Sequence, residues 1–395
     1  MDFKDRFLKN SLLVFLSTAI VNVANLLYQM LVVRKLSVVS YGAFNSLFSI
    51  FTVFIFPIAS IATMVAKFIP HYQGHPERGK GYFFLWVILK KMLVAGVVIL
   101  LIYTAAAPAI SAYLNLNSVV PVYITGIMLF LAMLSTVIFG GLQGFEDFAG
   151  FSAVSVFNSV LKLCLTFILI VFGWDLLGAL AGYAYAQVVT ILLALFFLRG
   201  IFSKRQAHEI AMKEKYAFIV PSFLTLISIS VLTNMDVVLV KHFFDPVSAG
   251  HYSVAQLIGK IALFIPSAVY VVLLPRSSAI NAQGADSRPF LKKSLLYAML
   301  VCGSFVCVYN IFPGYVLKIL TGKTSGDIIL LGRLFCAGMT FFSLVVILMV
   351  YQLSVSRFRY IKFLVGLTCA QVAAITVFHH SLIQVLCIII ANSAV

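Results

Sequence analysis

The chain is predicted to be an all-α polytopic membrane protein, with about twelve transmembrane helices in two pseudo-symmetric six-helix lobes. Three observations carry that fold class. The sequence is 62% hydrophobic and 10% charged, with mean hydropathy +1.08, where soluble domains carry roughly 25% charged residues. Apolar runs of the ~20 residues a bilayer requires recur along its length. One pattern also occurs twice, as LVVRKLSVVSYGAFNSLFSIFTVFIFP at 31–57 and LVKHFFDPVSAGHYSVAQLIGKIALFIP at 239–266.

At a constant offset of 208, Leu31, Val32, Val39, Ser40, Gly42, Ile50 and Phe56 meet Leu239, Val240, Val247, Ser248, Gly250, Ile258 and Phe264. Phe44 meets Tyr252, and Pro57 and Pro266 are one position out of step. Each copy reads as an apolar segment, a short V-S-x-G-x-[F/Y] loop, and a second apolar segment that meets a proline. Two homologous halves follow. Lipid offers backbone groups no partners, so the spans must be helices or a closed barrel. The runs are too long and continuous for the ~10-residue alternation of a barrel.

The expected spans are 11–33, 43–66, 84–107, 119–140, 151–172, 178–198, 217–240, 250–274, 294–312, 329–352, 360–378 and a short 381–395. Residues 1–200 form an N-terminal lobe, 201–216 a basic cytoplasmic linker, and 217–395 a C-terminal lobe whose last helix is short or incomplete. The polar lead Met1–Asn10 resembles the start of a signal peptide, but the run after it is too long, so it is read as a retained first helix.

The net charge of +16 does not point to nucleic acid, because the basic residues sit between spans. With the N-terminus cytoplasmic, 20 of the 28 Lys and Arg fall on the inside. Only Arg34, Lys35, Lys241, Lys318 and Lys323 fall outside, and Lys162, Lys260 and Arg333 lie within spans. This positive-inside bias fixes the expected orientation in the cytoplasmic membrane. The six cysteines lie in or beside apolar runs without metal or C-x-x-C spacing and read as buried thiols. No loop is large enough to fold as a catalytic domain. No Walker loop, H-E-x-x-H or G-x-S-x-G motif occurs. The chain is therefore expected not to be an enzyme and to hold no metal or organic cofactor.

Thr18, Asn22, Asn25 and Gln29 are spaced 4, 3 and 4 apart, which stacks them on one face of the first helix. Lipid penalises such a face, so it lines a hydrated cavity or bonds a neighbouring helix. Ser222, Thr225, Thr233 and Asp236 make a comparable stripe in the seventh. Lys162 and Lys260 each lie roughly 16 Å into a span at ~1.5 Å per residue. A mid-membrane lysine is unfavourable by at least ~2.5–3.5 kcal/mol. Either an anionic ligand in a wet cavity or a nearby carbonyl or carboxylate must compensate it. Asp236 and Arg333 are candidates for a gate salt bridge, with Asp236 also a candidate for binding a coupling proton or sodium ion. Arg34 is placed either to meet a departing phosphate or to stand as a solvated interfacial charge. Pro57, Pro266 and Pro275 read as paired kink sites, the glycines Gly140, Gly141 and Gly144 of the run to Phe148 as a helix terminator, and His379-His380 as a solvated pair.

The loop Leu36-Ser37-Val38-Val39-Ser40-Tyr41-Gly42-Ala43-Phe44 resembles the corresponding stretch of polysaccharide and O-antigen flippases. So does Asn234-Met235-Asp236 followed by Val247-Ser248-Ala249-Gly250-His251-Tyr252-Ser253-Val254-Ala255. These proteins belong to the multidrug/oligosaccharidyl-lipid/polysaccharide exporter superfamily. The resemblance implies two lobes around a central cavity and alternating access. It also implies transport of undecaprenyl-diphosphate-linked oligosaccharides to the outer leaflet. The expected partners are that lipid-linked substrate, membrane lipids and a glycosyltransferase or polymerase of the same pathway, with the protein itself a monomer. By depth, Lys162 and Lys260 would hold the diphosphate, and Asn22, Asn25 and Gln29 the sugar hydroxyls. A cation-coupled multidrug exporter is the alternative, which predicts acidic cavity residues; a membrane glycosyltransferase or polymerase ranks third.

Overall fold

The two copies of the repeated pattern open helices rather than forming loops. This is seen in the computed structural model, which describes residues 3–73, 79–202 and 213–394 apart from 268, 270–272, 274–275, 278–279, 282–285 and 356–358. After α1 (Phe3–Lys35), α2 (Val38–Phe68) begins at once. Ser37 Oγ accepts a hydrogen bond from Ser40 N at 3.0 Å, and Ser37 O accepts from Tyr41 N at 2.8 Å. The equivalent residue 208 positions on, Asp245, precedes α8 (Pro246–Phe264). Its Oδ1 accepts from Val247 N and Ser248 N, both at 3.0 Å, and its carbonyl accepts from Ala249 N at 3.0 Å. A side-chain oxygen at the N-cap satisfies amides that a first helical turn leaves unpaired. V-S-x-G is therefore a capped first turn, which the hydropathy pattern alone registers only as a polar gap.

Between these lie α3 (Gly79–Tyr113), α4 (Val120–Gly144), α5 (Phe148–Val171), α6 (Asp175–Phe197) and α7 (Lys213–Phe243). After α8 come α9 (Arg288–Ile311), α10 (Gly326–Ser354), α11 (Tyr360–Val377) and α12 (Leu382–Ala394). Among the described residues, 10 helices are long and apolar enough to cross a membrane. The other two expected spans are α8, which carries His251, Gln256 and Lys260, and α12, which has 13 residues. Pro275, the end of the eighth expected span and residues 203–212 of the expected linker lie outside the described residues.

The helices cluster into two units, Met1–Leu36 with Leu47–Ile227, and Ser37–Ser46 with Ser228–Val395. In the first, α3 packs on α4, α4 on α6, α5 on α6 and α1 on α5. In the second, α9 packs on α10, α10 on α12, α11 on α12 and α8 on α10. The pairings α3/α4, α4/α6 and α5/α6 thus recur as α9/α10, α10/α12 and α11/α12, the same fold built twice. The start of α2, through Ser46, packs within the second unit. There Gly42 lies against Gly250, its repeat equivalent: a Cβ on Gly42 would stand 3.0 Å from Gly250 Cα. Small residues let membrane helices approach this closely.

Several expectations change. Gly140 and Gly141 lie inside α4, where a Cβ on Gly140 would come within 2.7 Å of the Ala62 carbonyl oxygen. They serve close packing against α2 and Leu85, and of the three glycines expected to terminate the helix only Gly144 stands at its end. Pro57 sits inside α2, whereas Pro266 follows the end of α8, so the two are not equivalent kink sites. All six cysteines are free, but only Cys302 and Cys336 are buried. Apolarity placed the thiols within helices and could not tell the packed face from the outer one.

Candidate functional site

Each unit carries a lysine roughly 21 Å along its helix, Lys162 from Phe148 and Lys260 from Pro246, at ~1.5 Å per residue. Each ammonium donates to an asparagine on the helix that opens its half. Lys162 Nζ lies 2.6 Å from Asn25 Oδ1 of α1, and Lys260 Nζ lies 3.0 Å from Asn234 Oδ1 of α7. Beyond that the two differ.

Lys162 is enclosed, with 8% of its surface exposed. Its Nζ sits 4.7 Å from the centroid of the Tyr28 ring and 5.2 Å from that of Tyr183. Two aromatic faces attract a cation electrostatically, most strongly where it is withdrawn from water. The cage is braced: Tyr28 Oη donates to Ala179 O at 3.3 Å, and Tyr183 packs edge-on against Phe48 and Phe51. This arises because Ser17, Ala24, Tyr28 and Val32 share the packed stripe of α1 and are all buried. The neighbouring amide stripe turns away. Thr18 and Asn22 are exposed, Asn25 and Gln29 half-buried, and among the described residues Asn22 and Gln29 make no side-chain hydrogen bond.

Lys260 is half-exposed and ends a stripe on α8 in which Tyr252, Gln256 and Lys260 follow at four-residue intervals. That stripe faces Asn234 and Asp236 of α7. Tyr252 Oη donates to Asp236 Oδ2 at 2.9 Å, while Gln256 Nε2 lies 3.1 and 3.2 Å from the two carboxylate oxygens. Gln256 Oε1 accepts from Asn45 Nδ2 of α2 at 3.1 Å, and Asn234 Nδ2 donates to Ser230 O at 2.9 Å. Asp236, Tyr252 and Gln256 are fully buried. Lys260 follows Gln256 by one helical turn on that stripe, which sets its ammonium on the side of α8 that meets Asn234 and Asp236.

The Asp236–Arg333 bridge offered by the sequence is not formed. Asp236 takes Tyr252 and Gln256 instead, and Arg333 is exposed, its Nη2 3.5 Å from the Asn310 carbonyl. Both charges were legible, but helix rotation points them apart. Arg34 is exposed in the last turn of α1, where a cation complements the helix dipole. Of the α7 stripe, Thr225, Thr233 and Asp236 are buried and Ser222 is half-buried. His379 stacks on Phe243 with ring centroids 3.8 Å apart rather than standing in solvent. Among the described residues no cluster of His, Cys, Asp or Glu could hold a metal ion.

Sequence reasoning missed Tyr28 and Tyr183 as a cage, and Tyr252, Gln256 and Asn45 as a network. The four-residue spacing of Tyr252, Gln256 and Lys260 was a usable signal, since it places all three on one helical face. Nothing in the sequence marks Asn45.

The matches to known proteins agree with this architecture. A family model described as "Polysaccharide biosynthesis protein" matches residues 7–281. The chain belongs to that family. This polysaccharide biosynthesis protein is 27% identical over 191 residues to a Shigella flexneri protein whose name assigns it to O-antigen transport. The match covers 46% of this chain and 44% of the relative, less than half of its length. An inward-facing multidrug resistance MATE family transporter of the MOP superfamily superposes with TM-score 0.75 at 18% identity, over 95% of this chain and 91% of the other. The lipid II flippase MurJ, in an inward closed conformation, superposes with TM-score 0.75 at 12% identity, over 97% and 85%. At such identities the likeness is one of fold. Family and fold together make this chain a multi-pass membrane protein of the polysaccharide biosynthesis family.

Proposed function

We propose that this protein moves undecaprenyl-diphosphate-linked oligosaccharide units from the inner to the outer leaflet of the cytoplasmic membrane by alternating access, with its N-terminus in the cytoplasm. One observation carries the reading. Lys260 places an ammonium in the last turns of α8, half-buried and bonded to the neutral Asn234 rather than to a carboxylate, a charge that an anion would satisfy. A diphosphate is the anionic group of such a lipid carrier, and a partly desolvated ammonium binds it more strongly than one in water. The amides of Asn22, exposed, and Gln29, half-buried, suit sugar hydroxyls, which donate and accept as amides do. No covalent bond changes in this process, and the products pass to the polymerase or transferase of the same pathway. The name of the Shigella flexneri relative supports the substrate class.

A cation exporter would need a carboxylate free to meet its substrate, and Asp236 is already engaged by Tyr252 and Gln256. Lys260→Glu in a strain that depends on this protein for surface polysaccharide provides the test. Export is expected to be abolished at normal protein level. Wild-type export at that level would overturn the assignment.

A further inference from the structure

We propose that Asp236 is a built-in counter-ion to Lys260, competing with the anionic substrate for the ammonium so that the substrate is held weakly enough to leave. The inference rests on reading Lys260 as the diphosphate ligand.

The geometry sets a charge beside the site without closing it. Asp236 is fully buried, and the groups that touch its oxygens, Tyr252 Oη and Gln256 Nε2, are neutral donors. They hold the carboxylate in place and leave its charge uncancelled. Lys260, one helical turn beyond Gln256 on the same stripe of α8, supplies the opposite charge. Yet the ammonium is not locked in a contact salt bridge, because its hydrogen bond goes to Asn234, two residues before Asp236 on α7. A cation attracted by an acid but bonded to an amide keeps a direction open for a second anion. The first unit lacks this device. The repeat equivalent of Asp236 is Tyr28, and the Lys162 ammonium is closed off by Asn25 and two tyrosine rings. Transport requires binding strong enough to admit a ligand and weak enough to release it. An internal carboxylate meets both needs, since it stabilises the empty lysine and opposes the occupied one.

Inorganic diphosphate is the probe, titrated calorimetrically into the purified protein in lipid nanodiscs. Asp236→Asn, which keeps the shape and removes the charge, is expected to bind diphosphate roughly tenfold more tightly than wild type, with slower export in cells. Lys260→Gln is expected to abolish binding in both backgrounds. Unchanged or weaker binding by folded Asp236→Asn, with Lys260→Gln still abolishing it, would overturn the counter-ion alone. Diphosphate binding that survives Lys260→Gln would instead remove Lys260 as the ligand. Should Asp236→Asn fail to fold in thermal unfolding, Tyr252→Phe takes its place. Loss of that donor disfavours the charged form of the buried carboxylate, so tighter diphosphate binding is expected, and unchanged or weaker binding would overturn the proposal.

Discussion

Gly42 and Gly250 occupy the same place in two copies of one pattern, and within the second unit each packs against the other's helix start. A Cβ on Gly42 would lie 3.0 Å from Gly250 Cα and 3.1 Å from its nitrogen, and one on Gly250 would press on the Val38 carbonyl oxygen. Backbone atoms cannot swing aside as a side-chain tip can. Gly250→Ala is therefore expected to lower stability by about 1–3 kcal/mol, the usual range for overpacking. Gly303→Ala, at a site with open space, serves as the comparison and is expected to show no loss. Thermal unfolding of the two variants in one detergent decides it; equal midpoints would contradict the close approach.

Tyr183 packs against Phe48, Phe51 and Tyr28 and presents its face to Lys162. Truncation to alanine removes both a ring and a wall of the cage. Tyr183→Ala is expected to destabilise by about 3 kcal/mol or more, as large aromatic deletions do, and Tyr183→Phe by far less. The ordering of the two variants in urea or heat is the readout.

Gln256 links three helices, with Asn45 on one side and Asp236 on the other. Gln256→Leu strands a buried amide and takes a donor from a buried carboxylate. A loss of about 2–3 kcal/mol is expected, and Asn45→Ala, which strands only one acceptor, is expected to lose less. A double-mutant cycle measures the coupling; strict additivity would argue against the bond.

Asp245 caps α8 from outside the spans, and its hydrogen bonds with Ser248 and Val247 hold its carboxyl below the usual carboxylate range. A depressed folded-state value means the cap stabilises above the unfolded-state pKa and loses that contribution as pH falls through the folded value. Asp245→Ala is expected to lower stability by about 1 kcal/mol at neutral pH, with the gap to wild type closing in acid. Unfolding midpoints taken between neutral pH and pH ~3 follow the gap, and a gap that widened in acid would refute the cap.

Much of the fold could be read before any coordinates. Span lengths and the 208 offset are properties of the chain in one dimension, so α1 to α7 and α9 to α11 fell close to their expected places. The helix starts did not, because Ser37 and Asp245 extend α2 and α8 through residues whose polarity suggested loops. For the site, counting placed Lys162 and Lys260 within helices, where the structure buries the first and half-buries the second. Their partners did not follow, because those depend on rotation about each helix axis.

The sequence alone settled that this is a helical membrane protein of two like halves, and its paired V-S-x-G segments pointed to the right family. Those conclusions come from hydropathy, length and self-similarity, which survive without knowledge of neighbours. Only the tertiary structure decided that Lys162 is caged by Tyr28 and Tyr183, that Asp236 meets Tyr252 and Gln256 rather than Arg333, and that Lys260 is half-buried and bonded to Asn234. A side chain's charge is written in its residue type, but its partner is fixed by which helix faces pack together, and that packing is a property of the folded chain.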